Sequence, residues 1–346
     1  MHTKKLTTLA CAAALATLSG AASAQISGNT VKVGVLTDMS GTYSDLAGAG
    51  AVLATQMAID DFIAEAKPAF KVEMVSADHQ NKADIASNRA RQWFERDGVD
   101  TVTELVTTST ALAVMKIAKE MDRIALMSGP ASTPITNEQC NDRTVHYTYD
   151  TYSLANGTAK AVTQQGGKNW FFLTADYAFG HALERDTSAV VEQAGGKVLG
   201  AVRHPFPGQD FSSFLLQAQS SGAKVIGLAN AGGDTINSIK QASEFGITQG
   251  GQALAALLMF ISDVHALSLQ TAQGLVLTSA FYWDLNDQTR EWSKRFSEKN
   301  GGKQATMVQA GVYSSVLHYL KAVDALDDKD PAKVMEWMKA NPTEDQ

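Results

Sequence analysis

Apolar and polar positions alternate along this chain in two rhythms, one following the other. Val31–Thr37 is a short β-branched run, read as a buried strand. Ala47–Ala66 follows with Ala51, Ala54, Thr55, Ala58 and Phe62 on one helical side. Phe70–Val75 and Val99–Val106 read as strands, Ala83–Arg96 as the helix between them. Val114, Ile117, Ala118 and Met121 recur at helical spacing, and Arg123–Met127 is a further strand. Helices of this length between strands mean βαβ units and a parallel sheet.

The plan then restarts. Ser153–Gln165, Ala178–Ala194, Phe211–Ser221 and Asp234–Phe245 are expected helices. Asn169–Thr174, Lys197–Val202, Val225–Ala229, Leu254–Ile261 and Leu275–Thr278 are expected strands. Helices return at Asp287–Lys299, Met307–Leu326 and Pro331–Ala340, and are assigned back to the first unit. The fold class is therefore α/β, with two Rossmann-like lobes of parallel sheet joined by a hinge. Lobe 1 is expected to be discontinuous, from 25–145 and about 285–346; lobe 2 takes 146–284. Arg143–Asp150 is the expected first crossing between them.

Residues 1–24 stand outside this pattern. Lys4 and Lys5, the apolar Leu6–Leu18 and Ala22-Ser23-Ala24 make a signal peptide, with cleavage expected after Ala24 and export to the periplasm. Loss of Lys4 and Lys5 takes the formal charge from −7 to −9. So acidic a chain, without a basic block, argues against nucleic acid or an anionic membrane as partner. After cleavage only Cys140 remains, so no internal disulfide is expected, and no Cys/His cluster has metal-ligand spacing. No metal or cofactor is expected.

Ligands of open parallel sheets bind beyond the carboxyl ends of the strands. Those ends include Thr37–Tyr43, Thr107–Thr110 and Ser128–Thr133 in the first unit. In the second they are Thr174–Gly180, Asn230–Asp234 and Ser279–Asp284. Thr107, Thr108, Ser109 and Thr110 lie between a strand and a helix, where free N–H groups and the helix dipole suit a carboxylate. One hydroxyl would suffice as a helix cap. The remainder are candidates for ligand contact. First-unit ends are hydroxyl-rich and small, whereas the second supplies Tyr177, Phe179, Tyr282 and Trp283. A site between them would hold a polar head on one side and an apolar body on the other. Asp234 is read as a helix cap. The seven histidines are scattered, and no G-x-S-x-G, H-E-x-x-H or Walker A motif occurs, so no enzyme is expected.

Several segments carry a family likeness: Val33-Gly34-Val35-Leu36-Thr37-Asp38-Met39-Ser40-Gly41, Thr107–Thr110, Ser128–Pro134, Ala175–Gly180 and Gln309-Ala310-Gly311-Val312-Tyr313. In order and spacing the chain resembles the type I periplasmic solute-binding proteins of the branched-chain amino acid (Leu/Ile/Val) class, which feed ABC importers. The resemblance implies three hinge strands and lobes that close around a ligand in the cleft. It also implies carboxylate contacts at Thr107, Thr108, Ala131 and Ser132, and an aromatic contact at Tyr177 or Phe179. With Tyr43, Asp176, Asn230 and Trp283 these make up the expected ligand-binding set. The implied partners are a small carboxylate-bearing solute and an ABC permease of the inner membrane, and a monomer is expected. A branched-chain or related amino acid is the first expectation, an aromatic or keto acid the alternative. An exported sensor or an enzyme on the same fold is a second alternative. The chain departs from the family at Leu257–Phe260, where the acid that meets a ligand ammonium is replaced by apolar residues. The family's tyrosines fall at about Ala231 and Gly232, and the disulfide of some members falls near His79 and Val106. The family also continues beyond a last helix like this one, so a truncated sequence is expected at Gln346.

Overall fold

A computed structural model describes residue 26 and residues 29–345. The expected signal peptide lies outside the described residues. The chain builds two parallel sheets in succession, with a helix between consecutive strands except between the last two of the first sheet, where only a 3-10 turn (Thr133–Ile135) intervenes. The first holds β1 (Thr30–Thr37), β2 (Lys71–Asp78), β3 (Thr101–Glu104), β4 (Ile124–Met127) and β5 (Thr144–His146), in the order β2-β1-β3-β4-β5. Helices α1 (Gly48–Ala66), α2 (Ala83–Glu95) and α3 (Thr108–Glu120) connect its first four strands. The second sheet holds β6 (Asn169–Ala175), β7 (Lys197–His204), β8 (Val225–Ala229) and β9 (Ala253–Ala256), in the order β7-β6-β8-β9.

Helix α4 (Thr151–Leu154) runs through one π turn, Ala155–Ala159, into α5 (Lys160–Gln164) and leads into β6. Helices α6 (Ala178–Gln193), α7 (Ser212–Ser220) and α8 (Gly233–Glu244) connect the second sheet, with the short α9 (Ile261–Leu267) and α10 (Leu269–Ala272) after β9. The last helices are α11 (Asp287–Lys299), α12 (Met307–Leu326) and α13 (Pro331–Ala340).

Burial explains the sequence pattern. The inner strands β3, β4 and β8 are buried at every position, as strands covered on both faces must be. The edge strand β7 alternates between exposed and half-buried positions. Helices α11 to α13 return to the first sheet: Trp292, Phe296, Val316, Leu320 and Val334 share one core with Val31, Val33, Met57 and Phe62. Arg295 reinforces that return by donating two hydrogen bonds to the Asp61 carboxylate, at 2.7 and 2.6 Å. The chain therefore leaves the first sheet after β5, and its last helices come back to it.

One expected strand is absent. Leu275–Thr278 joins no ladder among the described residues; Leu277 is over a third exposed, and the Thr278 hydroxyl hydrogen-bonds that of Thr158 at 2.8 Å. The run Leu254–Ile261 pairs only as far as Ala256, and its remainder turns into the cleft. An apolar run needs a free ladder edge to become a strand, and hydropathy alone does not supply one.

Candidate functional site

Every strand pair opens toward one crevice between the lobes. In both sheets the strand order reverses beside the first strand, at β1/β3 and at β6/β8, which are the switch points where an open α/β sheet leaves room for a ligand. The residues around this space come from the carboxyl ends of six strands: Tyr43 and Leu46 beyond β1, Val106 beyond β3, Gly129 and Ala131 beyond β4, Tyr177 and Phe179 beyond β6, Ala231 beyond β8, and Leu258 and Phe260 beyond β9. Tyr149, from the crossing, completes it.

Local structure fixes each aromatic wall. Asp38 follows β1 and accepts hydrogen bonds from the N–H groups of Gly41 (2.7 Å) and Tyr43 (2.9 Å) and from the Asn81 side chain (2.6 Å). That carboxylate therefore shapes the turn that presents Tyr43. The start of α12 holds the same turn from outside: the Thr306 hydroxyl donates to the Leu46 carbonyl at 2.6 Å and the Gln309 amide to that of Ala47 at 3.2 Å. In the second lobe, a Cβ on Gly180 would overlap the Ala175 carbonyl, so glycine lets α6 start directly over the end of β6. Tyr177 is the residue at that turn.

The two lobes meet through these rings. Tyr43 and Tyr177 share a hydroxyl–hydroxyl hydrogen bond of 2.8 Å. Phe206, beyond β7, stacks on both, with centroids 4.4 Å from Tyr177 and 5.3 Å from Tyr43. The Tyr149 hydroxyl donates to the Gly129 carbonyl at 2.7 Å. Burial raises the titration of Tyr43, Tyr149 and Tyr177, so all three are neutral phenols. No lining side chain is charged. Three buried carboxyls stand behind the lining, all pushed up by burial: Glu104 to about 8, Asp234 to about 7 and Asp263 to about 7.

A second contact ties the lobes away from the rings. The Thr133 hydroxyl, in the turn after β4, donates to the Asp186 carboxylate of α6 at 2.8 Å, and Arg185 donates to the same hydroxyl at 2.8 Å. Thr151 donates to Asp186 at 2.5 Å.

Of the expected ligand-binding set, Tyr43, Ala131, Tyr177 and Phe179 come together around the cavity. Thr107, Thr108 and Ser132 are buried directly behind Val106 and Ala131. Thr107 shares a hydrogen bond with Thr110, and Thr108 with Ser132, each at 2.8 Å, so the two turns are tied together. No side chain caps α3, which leaves the N–H groups of its first turn to other partners. Asp176 stands apart, over half exposed and bonded to His181 at 2.8 Å. Asn230 is buried in a polar knot, accepting from Thr235 at 2.7 Å and meeting His204 at 3.1 Å. Trp283 lines a neighbouring apolar cavity with Met259, Phe281 and Tyr282. Asp234 does not cap its helix: it accepts from the Gly208 N–H at 3.0 Å.

Sequence reading passed over Leu46, Val106, Tyr149 and Phe206; Gly129 lay within the strand end Ser128–Thr133, and Leu258 and Phe260 within the stretch noted only for its missing carboxylate. Phe206 carried a signal, since Pro205 and Pro207 hold it in an extended loop at a strand end. Tyr149 carried none, because a crossing segment has no period to read.

The model of the periplasmic binding protein family matches residues 30–345. The chain belongs to the periplasmic binding proteins. It is similar to a periplasmic binding protein of Burkholderia mallei whose crystal structure has 53% identity and a TM-score of 0.89, over 92% of this chain and 84% of that one. A second solved relative is a branched-chain amino acid ABC transporter ligand-binding protein of Burkholderia xenovorans, with 39% identity and a TM-score of 0.78, over 91% and 84%. A Leu/Ile/Val-binding protein homolog of Brucella melitensis is 27% identical, over 94% of this chain and 84% of its own length. As a periplasmic binding protein of the ABC transporter class, this molecule binds a small solute and is not an enzyme.

Proposed function

We propose that this periplasmic binding protein captures an aromatic carboxylate between its lobes and hands it to an inner-membrane permease. The observation that carries this reading is the lining: three tyrosines and two phenylalanines from both lobes, with no charged side chain among them. Flat apolar walls suit a flat ring, and ring pairs add about 0.5–1.5 kcal/mol each beyond their burial. Neutral hydroxyls and free N–H groups at the start of α3 suit a carboxylate without requiring a cation. Fold neighbours from Rhodopseudomonas palustris were solved with 4-hydroxybenzoate and with benzoate. The name of the Burkholderia xenovorans relative favours a branched-chain amino acid. A carboxylate partner for that ligand's ammonium is absent from the side chains at Leu257–Phe260.

In this reading the carboxylate sits by Val106 and Ala131 against the tied hydroxyl turns, and the ring lies among Tyr43, Tyr149, Tyr177, Phe179 and Phe260. The molecule acts as a monomer in the periplasm after signal cleavage, and closes on its ligand by a hinge. Calorimetry with benzoate, 4-hydroxybenzoate, leucine and phenylalanine tests the ligand class. Saturable binding of either benzoate and none of leucine is expected; tight leucine binding with no response to the benzoates would overturn the reading. Thr108→Val and Ser132→Ala, which each break the tie between the two turns, are expected to weaken binding of the aromatic acid about tenfold, from roughly 1–1.5 kcal/mol for one lost hydrogen bond. Unchanged affinity in both would move the carboxylate elsewhere in the cleft.

A further inference from the structure

Glu104 is the last residue of a central strand, and it lies under the floor of the cleft. It is fully buried, and neither of its carboxyl oxygens completes a hydrogen bond among the described residues. Its backbone and that of Leu105 are both left-handed, at φ +84° and +60°. Two consecutive non-glycine residues in that region mark a strained turn, of the kind found where function dictates geometry. The turn brings the carboxyl against Gly129: a Cβ there would overlap Glu104 Oε1 and come within 2.7 Å of the Val106 Cα. Gly129 and Val106 both line the cavity, and Tyr149 is bonded to the Gly129 carbonyl. Glu104 is thus one layer behind the residues that touch a ligand.

The groups facing this carboxyl are acidic or neutral. Asp38 faces it from the turn after β1 and Tyr149 from the crossing, while the Thr37 hydroxyl and the N–H groups of Leu105 and Val106 approach it. No lysine or arginine is paired with it among the described residues. An unpaired carboxylate in such a place would be costly, and would repel an anion one layer away.

We propose that Glu104 is a positioning residue that works as an uncharged carboxylic acid, retaining its proton beneath the bound anion, so that ligand binding is linked to one proton. The inference rests on the carboxylate reading of the site. Below the titration of Glu104 the proton is already in place, and the ligand anion binds without proton exchange. Above it, Glu104 is ionised in the free protein and must take one proton from solvent as the anion enters. Burial pushes this carboxyl up to about 8, with Asp38 adding to the rise and the Thr37 hydroxyl opposing it. Asp234 and Asp263, behind the second-lobe walls, titrate about 7 and act at lower pH.

The test is calorimetry with benzoate from pH 6 to 9, in buffers of differing ionisation enthalpy, on wild type and Glu104→Gln. Wild-type affinity is expected to fall by up to about tenfold per pH unit above 8, with proton uptake approaching one per ligand. Glu104→Gln carries a neutral side chain of the same shape, and its profile is expected to be flat from 8 to 9, whatever its absolute affinity. A slope near pH 7 common to both proteins belongs to Asp234 and Asp263. Equal wild-type affinity at pH 6 and 9, or the same fall in Glu104→Gln, would overturn the proposal. The infrared difference between the two unliganded proteins at pH 7, in which the shared bands of Asp234 and Asp263 cancel, gives an independent reading: a protonated-acid carbonyl stretch on the wild-type side is expected, and its absence would also overturn the proposal. Failure of benzoate to bind at any pH would sink the ligand class, while the infrared band still decides the state of Glu104.

Discussion

Replacing Tyr177 by alanine is expected to weaken binding of an aromatic acid about a hundredfold. The ring lines the cavity, stacks on Phe206 at 4.4 Å and bonds Tyr43 across the cleft at 2.8 Å. Loss of a buried ring wall, its stacking and a hydrogen bond between lobes amounts to about 3 kcal/mol, which is two decades in affinity. Tyr177→Phe keeps the ring and loses only the hydroxyl bond, so a change of about fivefold is expected from roughly 1 kcal/mol. Calorimetry separates the two variants, and circular dichroism melts establish that both are folded. Wild-type affinity in a folded Tyr177→Ala would mean that the ligand does not sit between these rings.

The second large effect is on stability. Glu104, Asp234 and Asp263 titrate higher in the folded chain than in the unfolded one, so between those values the folded state holds the extra protons. Stability then falls as the pH rises, by up to about 1.4 kcal/mol per pH unit for each group, and the fall ends at the folded values near 7 and 8. His79 runs the other way: burial lowers it to about 4, so the unfolded chain holds the extra proton, and stability rises with pH up to about 6.5. His146, His204 and His318 are lowered by burial in the same sense. The two sets oppose each other in acid, and only the carboxyls act above neutrality. A loss on the order of 3 kcal/mol between pH 6.5 and 8 is expected, with Glu104→Gln removing about half of it. Urea melts at pH 6.5 and 8 check this; equal midpoints for wild type at the two values would show that these carboxyls are ionised in the folded protein.

The two lobes were legible because β1, β4, β6 and β8 are apolar runs separated by stretches of helical length. Leu275–Thr278 misled, since its composition is that of a strand and its ladder partner is a matter of tertiary placement. The strand ends located the cleft, and so Tyr43, Ala131, Tyr177 and Phe179 could be named. Tyr149 could not, because a crossing segment becomes a wall only when two lobes meet, and Phe206, though marked by its flanking prolines, gave no sign that it would stack on Tyr43 and Tyr177. The hydroxyl run at Thr107–Thr110 was visible, but that its hydroxyls bond to Ser132 and to one another depends on the packing of two turns 24 residues apart. The buried acids were the least legible. Asp234 reads as a helix cap and Glu104 as an ordinary strand residue, and neither spacing nor composition reports a left-handed turn at the end of β3.

The tie between Thr133, Thr151 and Asp186 has a kinetic meaning. Its side chains lie outside the cavity lining, although the Thr151 N–H donates to the carbonyl of Ala131 in the wall at 2.7 Å. In the proposed reading, what fits the cleft and how long it stays there are set by largely different side chains. A change at Asp186 is expected to alter the lifetime of the proposed closed form and to leave the aromatic side chains in place. On that reading such a receptor is tunable between scarce and plentiful solute, through residence time, at one largely buried residue of α6.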